Sequence, residues 1–236
     1  MSSFLALTPD DWEIIRLSLK VSLVAVALTM PIAFGLAWVL ARLRFPGKLL
    51  LDGLVHLPLV VPPVVTGWLL LLAFGANGPF GRWFSEWLGI EFMFRWTGAA
   101  LAAAVMALPL MVRAMRLSIE AVDPRLEGAA RTLGATRWRS FLTITLPLSL
   151  PGVLAGAVLG FARSIGEFGA TITFVSNIPG ETRTLPIAIY SALQVPGGEG
   201  AVTRLAIISV LLSLGALIAS EALSRRAGAG RGGHVL

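Results

Sequence analysis

Apolar residues along this chain collect in long runs that contain no charged side chain. Five such runs cover residues 21–40, 57–76, 97–112, 140–162 and 205–220. A helix of about 20 mostly apolar residues crosses a bilayer, and about 17 residues is the usual lower limit. Three runs meet this length, and the two shorter ones meet it when flanking residues extend the helix. The pattern therefore predicts an all-α fold, a transmembrane helical bundle with five spans in a single domain, residues 1–236.

One further apolar stretch, residues 168–180, is uncharged but too short to cross the membrane alone. It is typical of a re-entrant or broken-helix element, and a sixth span is the second interpretation. Residues 185–196 are also apolar and short, which favours an interfacial helix on the outer side.

Composition agrees with a membrane protein and excludes several kinds of site. The chain is 56% hydrophobic and 14% charged, whereas a soluble domain carries roughly 25% charged residues. It has no cysteine, so disulfides and thiolate metal sites are excluded. The two histidines, His56 and His234, cannot form a metal cluster with anything nearby in the sequence. The net charge of +6 is placed as in a membrane protein, so we expect lipid and not nucleic acid as its contact.

The basic residues concentrate in alternate segments between the runs. These segments hold 12 of the 19 basic residues. They are Arg42, Arg44, Lys48, Arg113, Arg116, Arg125, Arg131, Arg137, Arg139, Arg225, Arg226 and Arg231. The positive-inside rule then predicts a multi-pass protein of the cell (inner) membrane, with its N-terminus outside and its C-terminus in the cytoplasm.

A polar, arginine-rich segment separates the third run from the fourth, and its local chemistry predicts a cytoplasmic helical hairpin at about residues 118–146. Asp123 is a good N-cap and Pro124 suits the first helical position, so the first helix covers about residues 124–133. Gly134 can end that helix in a left-handed conformation.

The second helix of the hairpin begins after Thr136 and runs on into the fourth apolar run. Ala129 and Ala130 keep part of the first helix thin, so the groove of a partner protein can approach closely. Arg131 is available to carboxylates on such a partner or to phosphate head groups. The residues alone leave two interpretations open: docking to a partner, and an amphipathic helix on the anionic membrane surface.

The hairpin resembles a known motif. Ala129-Ala130-x-x-x-Gly134, then nine residues, then Ile144-x-Leu146-Pro147, is similar to the cytoplasmic EAA loop of permease subunits in binding-protein-dependent ABC importers. In that family the loop forms a coupling helix that docks in a cleft of the ATPase subunit. The family's glutamate just before the alanines is Gly128 here, and Glu127 lies one position earlier. The resemblance assigns ATPase coupling to Glu127, Gly128, Ala129, Ala130, Arg131, Gly134, Trp138, Leu146 and Pro147.

Residues 57–81 and 161–190 resemble the molybdate-type permease subunit in particular. Sulfate permeases share the block from Gly166 to Gly169, and tungstate permeases are close relatives. The resemblance implies a homodimer that works with two ATPase subunits and an external oxyanion-binding protein. It implies molybdate as the transported ion, with tungstate or sulfate as alternatives.

No motif for nucleotide binding or catalysis occurs in the chain. Gly47-Lys48 lacks the glycine spacing and the following Ser or Thr of a P-loop. We therefore expect no cofactor in this chain and no enzyme activity, with ATP bound by the partner ATPase subunit. A stand-alone secondary transporter is the main alternative function, although such folds usually show internal repeats, which we do not find.

Pro62-Pro63 interrupts the second run, and with polar residues inside the apolar segments it is a candidate for a bend that lines a translocation pathway or gate. A kink that merely fits the neighbouring helices is an equal alternative. Prolines free backbone carbonyls, which is tolerated only where protein or a cavity satisfies them. An ionisable residue at membrane depth is a functional candidate, although a pair one helical turn apart is also consistent with a structural ion pair, which we favour here. Hydroxyl groups can make weak contacts with an oxyanion. The candidates are Pro62, Pro63, Thr66, Arg163, Ser164, Glu167, Thr171 and Thr173.

Overall fold

The computed structural model describes residues 7–229, and the side chains of residues 7–218. All regular structure in this range is helical, which confirms the predicted all-α bundle. The basic tail that contributed to the topology prediction, Arg225, Arg226 and Arg231, lies outside the residues whose side chains are described, as does His234.

Eleven α-helices and one π-helical turn follow one another along the described residues. They are α1 (Pro9–Arg42), α2 (Lys48–Val60), α3 (Pro63–Phe74), α4 (Pro79–Leu88), α5 (Trp96–Glu120), α6 (Pro124–Thr132), α7 (Arg137–Ser140), the π-helical turn (Phe141–Thr145), α8 (Leu146–Ile165), α9 (Gly169–Val175), α10 (Leu185–Leu193) and α11 (Glu199–Ala229).

Four helices in the described range are long and apolar enough to cross a membrane. They are α1, α5, the continuous helix Arg137–Ile165 and the part of α11 over Glu199–Ile218. The pair α2 and α3 passes the same test when taken together, so the described residues contain four spans, or the predicted five when this bent pair is counted as one broken span.

The second span is broken at Pro62-Pro63, as the prolines inside the run 57–76 predict, and it begins earlier than the run, because α2 starts at Lys48. The axes of α2 and α3 are bent by 116° at the break between them. Val61 and Pro62 each precede a proline, and both have extended backbone, with ψ of 137° and 135°. A residue before proline avoids the helical region because the proline ring clashes with it. Two consecutive prolines therefore end one helix and start another.

The centre of the bundle is α5, which packs against α1 on one side and α8 on the other. Small residues make the close approach possible. A side chain at Gly156 would lie 3.1 Å from Cε of Met115, and one at Gly160 would lie 2.6 Å from the sulfur of Met111. The small-residue face of α8 therefore packs directly on the methionines of α5.

The end of the bundle opposite the hairpin is closed by polar contacts between distant segments. Arg204 at the start of α11 donates to Asp11 at the start of α1 over 2.7 Å. The backbone N–H of Leu185 donates to Ser18 of α1 over 2.8 Å. Thus α10 packs on the bundle through buried residues, including Leu185 and Ile187, and does not simply lie on the membrane surface.

The predicted short element at residues 168–180 is present as α9. It has seven residues, so it is about 10 Å long and does not form a sixth span. It packs against α3 and α5. The structure therefore agrees with the broken or re-entrant interpretation of this segment.

Candidate functional site

The first limb of the predicted coupling hairpin is α6. Asp123 caps it, because its carboxylate accepts from the backbone N–H of Arg125 over 2.8 Å. Gly134 follows the helix with φ of 89°, a left-handed conformation that favours glycine. The N–H of Ala135 then donates to the carbonyl of Ala130 over 3.0 Å, which closes the turn. The capping residues predicted from the sequence are confirmed.

The second limb begins at Thr136, whose hydroxyl accepts from the N–H of Arg139 over 3.2 Å. It continues without a break through the π-helical turn into α8, and Leu146 and Pro147 form the first turn of α8. The continuous helix is confirmed, whereas the π-helical turn is a feature that the sequence pattern did not predict. Such turns are rare in proteins, and those that do occur often lie at functional sites.

The outer surface of α6 is available to a partner. None of its residues is buried. Leu133 is 89% exposed and Leu126 is 47% exposed, while a side chain at Gly128 would meet nothing within 4 Å. Ala129 and Arg131 are exposed as well. Trp138 on the second limb is 68% exposed. This mixture of small and apolar side chains on a short amphipathic helix is suited to a protein groove.

Glu127 has a different role from these exposed residues, because its carboxylate is directed towards the bundle. Its Oε1 accepts from the hydroxyl of Thr145, in the π-helical turn, over 2.6 Å. The same oxygen lies 3.2 Å from Nη2 of Arg42, at the end of α1. Arg42 also donates to the carbonyl of Val122 over 3.1 Å. The Arg42–Glu127–Thr145 cluster thus joins α6 to α1 and to the start of α8.

The motif placed Glu127 in the hairpin but did not identify its partners. Arg42 entered the sequence prediction only as a basic residue that sets topology, and Thr145 was not singled out. A second cluster was also missed: Arg116 of α5 contacts Asp52 of α2 over 3.2 Å and Glu120 over 2.8 Å. Arg116 and Glu120 lie one helical turn apart on α5, a spacing that the sequence already shows, whereas only the packing of the helices brings Asp52 to Arg116 and Arg42 to Glu127.

The proline break of the second span lies against α9. A side chain at Gly67, one turn into α3, would lie 2.5 Å from the carbonyl oxygen of Ala170 and 2.8 Å from Cβ of Thr173. A side chain at Gly169 would lie 2.8 Å from Cβ of Pro63. The structure therefore brings the predicted pathway residues of α3 and α9 together at a contact that glycine makes possible.

The predicted ion pair at the end of α8 is confirmed. Nη1 of Arg163 lies 2.6 Å from Oε2 of Glu167, whose side chain is 2% exposed. The other carboxylate oxygen of Glu167 accepts from the backbone N–H of Ala170 over 2.8 Å. Glu167 therefore holds the first turn of α9 against the end of α8.

The candidate hydroxyl groups surround the same region but are mostly turned into packed helices. Thr66, Ser164 and Thr171 are buried, and the hydroxyl of Ser164 has no hydrogen-bond partner among the described residues. Thr173 is partly buried and donates to the carbonyl of Gly169 over 2.8 Å. Pro62 is exposed at the bend. Their contact with a transported ion stays a prediction.

Comparison with known proteins agrees with a membrane bundle that carries a coupling hairpin. Residues 29–228 match the family described as the binding-protein-dependent transport system inner membrane component. The chain belongs to this family. It is 60% identical over 219 residues to the molybdenum transport system permease protein ModB of Escherichia coli K12, covering 93% of this chain and 96% of that protein. It is 58% identical over 212 residues to ModB of Haemophilus influenzae, covering 90% of this chain and 93% of that protein.

A solved structure shows the same fold at low sequence identity. It is a bacterial alginate ABC transporter in complex with an alginate pentasaccharide-bound periplasmic protein. It matches with a TM-score of 0.74 and 19% identity, over 95% of this chain and 82% of that one. The chain is thus a multi-pass membrane component of a transport system, of the ABC importer permease fold, and not an enzyme. The alternative of a stand-alone secondary transporter is not supported.

Proposed function

We propose that this chain is the permease subunit through which an ATP-driven importer passes molybdate into the cytoplasm. The observation that carries the proposal is the high identity to two molybdenum permease proteins over nearly the whole length of each chain. The predicted resemblance to the molybdate-type permease rested on residues 57–81 and 161–190. These segments contain the α2–α3 break and α9, the two elements that meet at the candidate gate.

The assembly that we propose is a homodimer of this chain with two ATPase subunits, which bind the ATP, and an external binding protein. The exposed surface of α6 supports docking of an ATPase subunit. The periplasmic protein in the related alginate transporter supports delivery from outside. With the N-terminus outside and the C-terminus in the cytoplasm, the hairpin faces the cytoplasm and α10 faces the binding protein.

The contacts described above form a continuous mechanical path from the hairpin to the gate. Movement of α6 pulls on the Arg42–Glu127–Thr145 cluster and so on the helix Arg137–Ile165. This helix has 29 residues, so it is about 43 Å long and reaches across the membrane. Its far end carries Arg163, which holds Glu167 and through it α9. Since α9 packs directly on α3, a tilt of this long helix changes the contact at the proline break.

The permease needs only weak contacts with the ion, because the ion must leave after each cycle. Hydroxyl groups near the α3–α9 contact, such as those of Thr66, Ser164, Thr171 and Thr173, provide neutral donors for a divalent oxyanion. Arg163 is already paired with Glu167, so it contributes to position and not to tight anion binding. We therefore assign most of the selectivity among molybdate, tungstate and sulfate to the external binding protein.

The test is anion uptake by the reconstituted transporter in proteoliposomes. We expect molybdate uptake only when ATP and the loaded binding protein are both present. Tungstate and sulfate, each offered with the same binding protein, measure the alternatives within the family. Uptake that proceeds without ATP and follows an ion gradient would overturn the proposal in favour of secondary transport. Failure of a molybdate-loaded binding protein to drive uptake, where a sulfate-loaded sulfate-binding protein succeeds, would overturn the substrate assignment alone.

A further inference from the structure

A groove of about 600 Å³ lies between the last third of α1 and the beginning of the helix Arg137–Ile165. It opens to the outside of the single chain, and its walls are aromatic apart from one glycine and one arginine. The lining residues are Phe34, Gly35, Trp38, Arg137, Trp138 and Phe141. One wall is the beginning of the long helix of the proposed path, and Trp138 also belongs to the surface that we propose for the ATPase subunit, but none of the path's contacts lies in the groove.

The aromatic walls form one packed cluster around Phe141. Its ring centroid lies 6.1 Å from that of Phe34 and 6.5 Å from that of Trp38, both edge to face, and it stacks on Trp138 at 5.5 Å. Gly35 sits between the two α1 aromatics, and a side chain there would meet nothing within 4 Å. The groove is therefore open at Gly35, and this notch lies between apolar aromatic walls.

One end of the groove is cationic. Arg137 is exposed, and no carboxylate lies within 4 Å of its guanidinium among residues 7–218. The groove begins at Phe34, eight residues or about 12 Å before the hairpin end of α1. A bound molecule would thus place an apolar part along the aromatic walls and an anionic part at the hairpin end.

We propose that this groove binds one anionic phospholipid from the leaflet on the hairpin side. Its acyl chain would lie in the notch and its phosphate would accept from Arg137. Two exposed apolar side chains, Leu28 and Ile32, lie on α1 beyond the notch, on the side away from the hairpin. Steps of four and three residues lead from Leu28 to Ile32 and then to Gly35, so the three positions share one face of the helix. This charge-free stripe with a cation at one end matches the polarity of a lipid. Aromatic and basic residues are enriched at the membrane–water interface of membrane proteins, where they contact acyl chains and anionic head groups.

The test measures lipid bound to the complete transporter, in nanodiscs of phosphatidylethanolamine with either phosphatidylglycerol or phosphatidylcholine. Native mass spectrometry of the released protein counts the retained lipids. We expect the wild-type protein to retain phosphatidylglycerol in preference to phosphatidylcholine. Arg137→Gln should reduce this preference about fivefold, since a basic residue near an anionic surface contributes about 1 kcal/mol. Arg139→Gln is the matched control, because Arg139 is also exposed and unpaired in residues 7–218 but does not line the groove.

A second pair of variants tests the notch. Gly35→Leu fills it at an exposed helical position and should lower the retention of both lipids, whereas Gly53→Leu, at an exposed and open position of α2, should not. Equal losses in Arg137→Gln and Arg139→Gln would overturn the proposal in favour of diffuse charge attraction. Unchanged lipid retention in Gly35→Leu, with a change in oligomeric state, would show that a second copy of this chain covers the groove. The proposal depends only on membrane insertion, so its failure leaves the transport assignment untouched.

Discussion

The Arg42–Glu127–Thr145 cluster offers the sharpest test of how the hairpin is joined to the bundle. Glu127→Gln keeps the shape of the side chain and removes its charge, and Glu127→Ala removes both contacts. Thr145→Val removes the hydroxyl alone. The charge-swapped pair Arg42→Glu with Glu127→Arg restores the attraction with reversed signs.

The magnitude follows from the partial exposure of the pair. The side chains of Arg42 and Glu127 are 17% and 32% exposed, so the penalty of about 3–5 kcal/mol for breaking a fully buried pair does not apply. A hydrogen bond to a charged group contributes about 1.5–3 kcal/mol and a neutral one about 0.5–1.5 kcal/mol. We therefore expect Glu127→Gln to weaken the attachment of the hairpin to the bundle by about 1 kcal/mol, and Glu127→Ala to weaken it by about 2–3 kcal/mol. Thr145→Val should cost about 1 kcal/mol, most of it absent in the Glu127→Ala background.

The assay compares molybdate uptake with ATP hydrolysis in the same proteoliposomes. We expect Glu127→Ala to lower the number of ions carried per ATP about tenfold or more, since about 1.4 kcal/mol corresponds to a factor of ten. Melting of the membrane bundle should change little, because the cost falls on the attachment of the hairpin and not on the packing of α1, α5 and α8 against one another. Arg44→Gln is the control: Arg44 is exposed and near Arg42 in sequence, and it has no ion pair among residues 7–218.

Rescue distinguishes a specific contact from general damage. The charge-swapped pair should recover part of the lost coupling, and only part, because the new carboxylate at position 42 would face the carbonyl of Val122. A wild-type ratio of transport to hydrolysis in Glu127→Ala would refute the role of the cluster. A swapped pair no better than either single variant would also refute it.

Three further predictions concern the hairpin turn, the gate and the topology. Gly134→Val forces a β-branched residue to φ of 89° and should abolish the stimulation of ATP hydrolysis by loaded binding protein. Gly47→Val, at the same φ before α2, should leave the stimulation intact. Equal stimulation in both variants would contradict the coupling assignment. Gly67→Ala places a methyl group against the carbonyl of Ala170 and should destabilise the α3–α9 contact by about 1–3 kcal/mol in thermal melts, while Gly53→Ala, an open helical site, should be neutral or stabilising. A reporter at the C-terminus should be cytoplasmic and one at the N-terminus external, and a cytoplasmic N-terminus would disprove the predicted orientation.

The limbs of the hairpin and the membrane spans could be predicted from the sequence, because both depend on residues that are neighbours along the chain. The N-cap at Asp123, the turn at Gly134 and the start at Thr136 each involve contacts within a few positions. Apolar length alone identifies a membrane-spanning helix, since the bilayer has nearly constant thickness. Local chemistry and apolar length therefore suffice to predict these features without knowledge of how the helices pack.

Tertiary structure decided the features that join distant parts of the chain. The angle of 116° between α2 and α3 depends on the element that packs against α3. That element is α9, which lies about 100 residues later in the sequence. The partners of Glu127 lie 85 residues before it and 18 residues after it. The sequence shows that Arg42 is basic, but it does not show that Arg42 lies beside the carboxylate of Glu127. Sequence patterns determine local backbone geometry and membrane insertion, whereas side-chain partners depend on how the inserted helices pack.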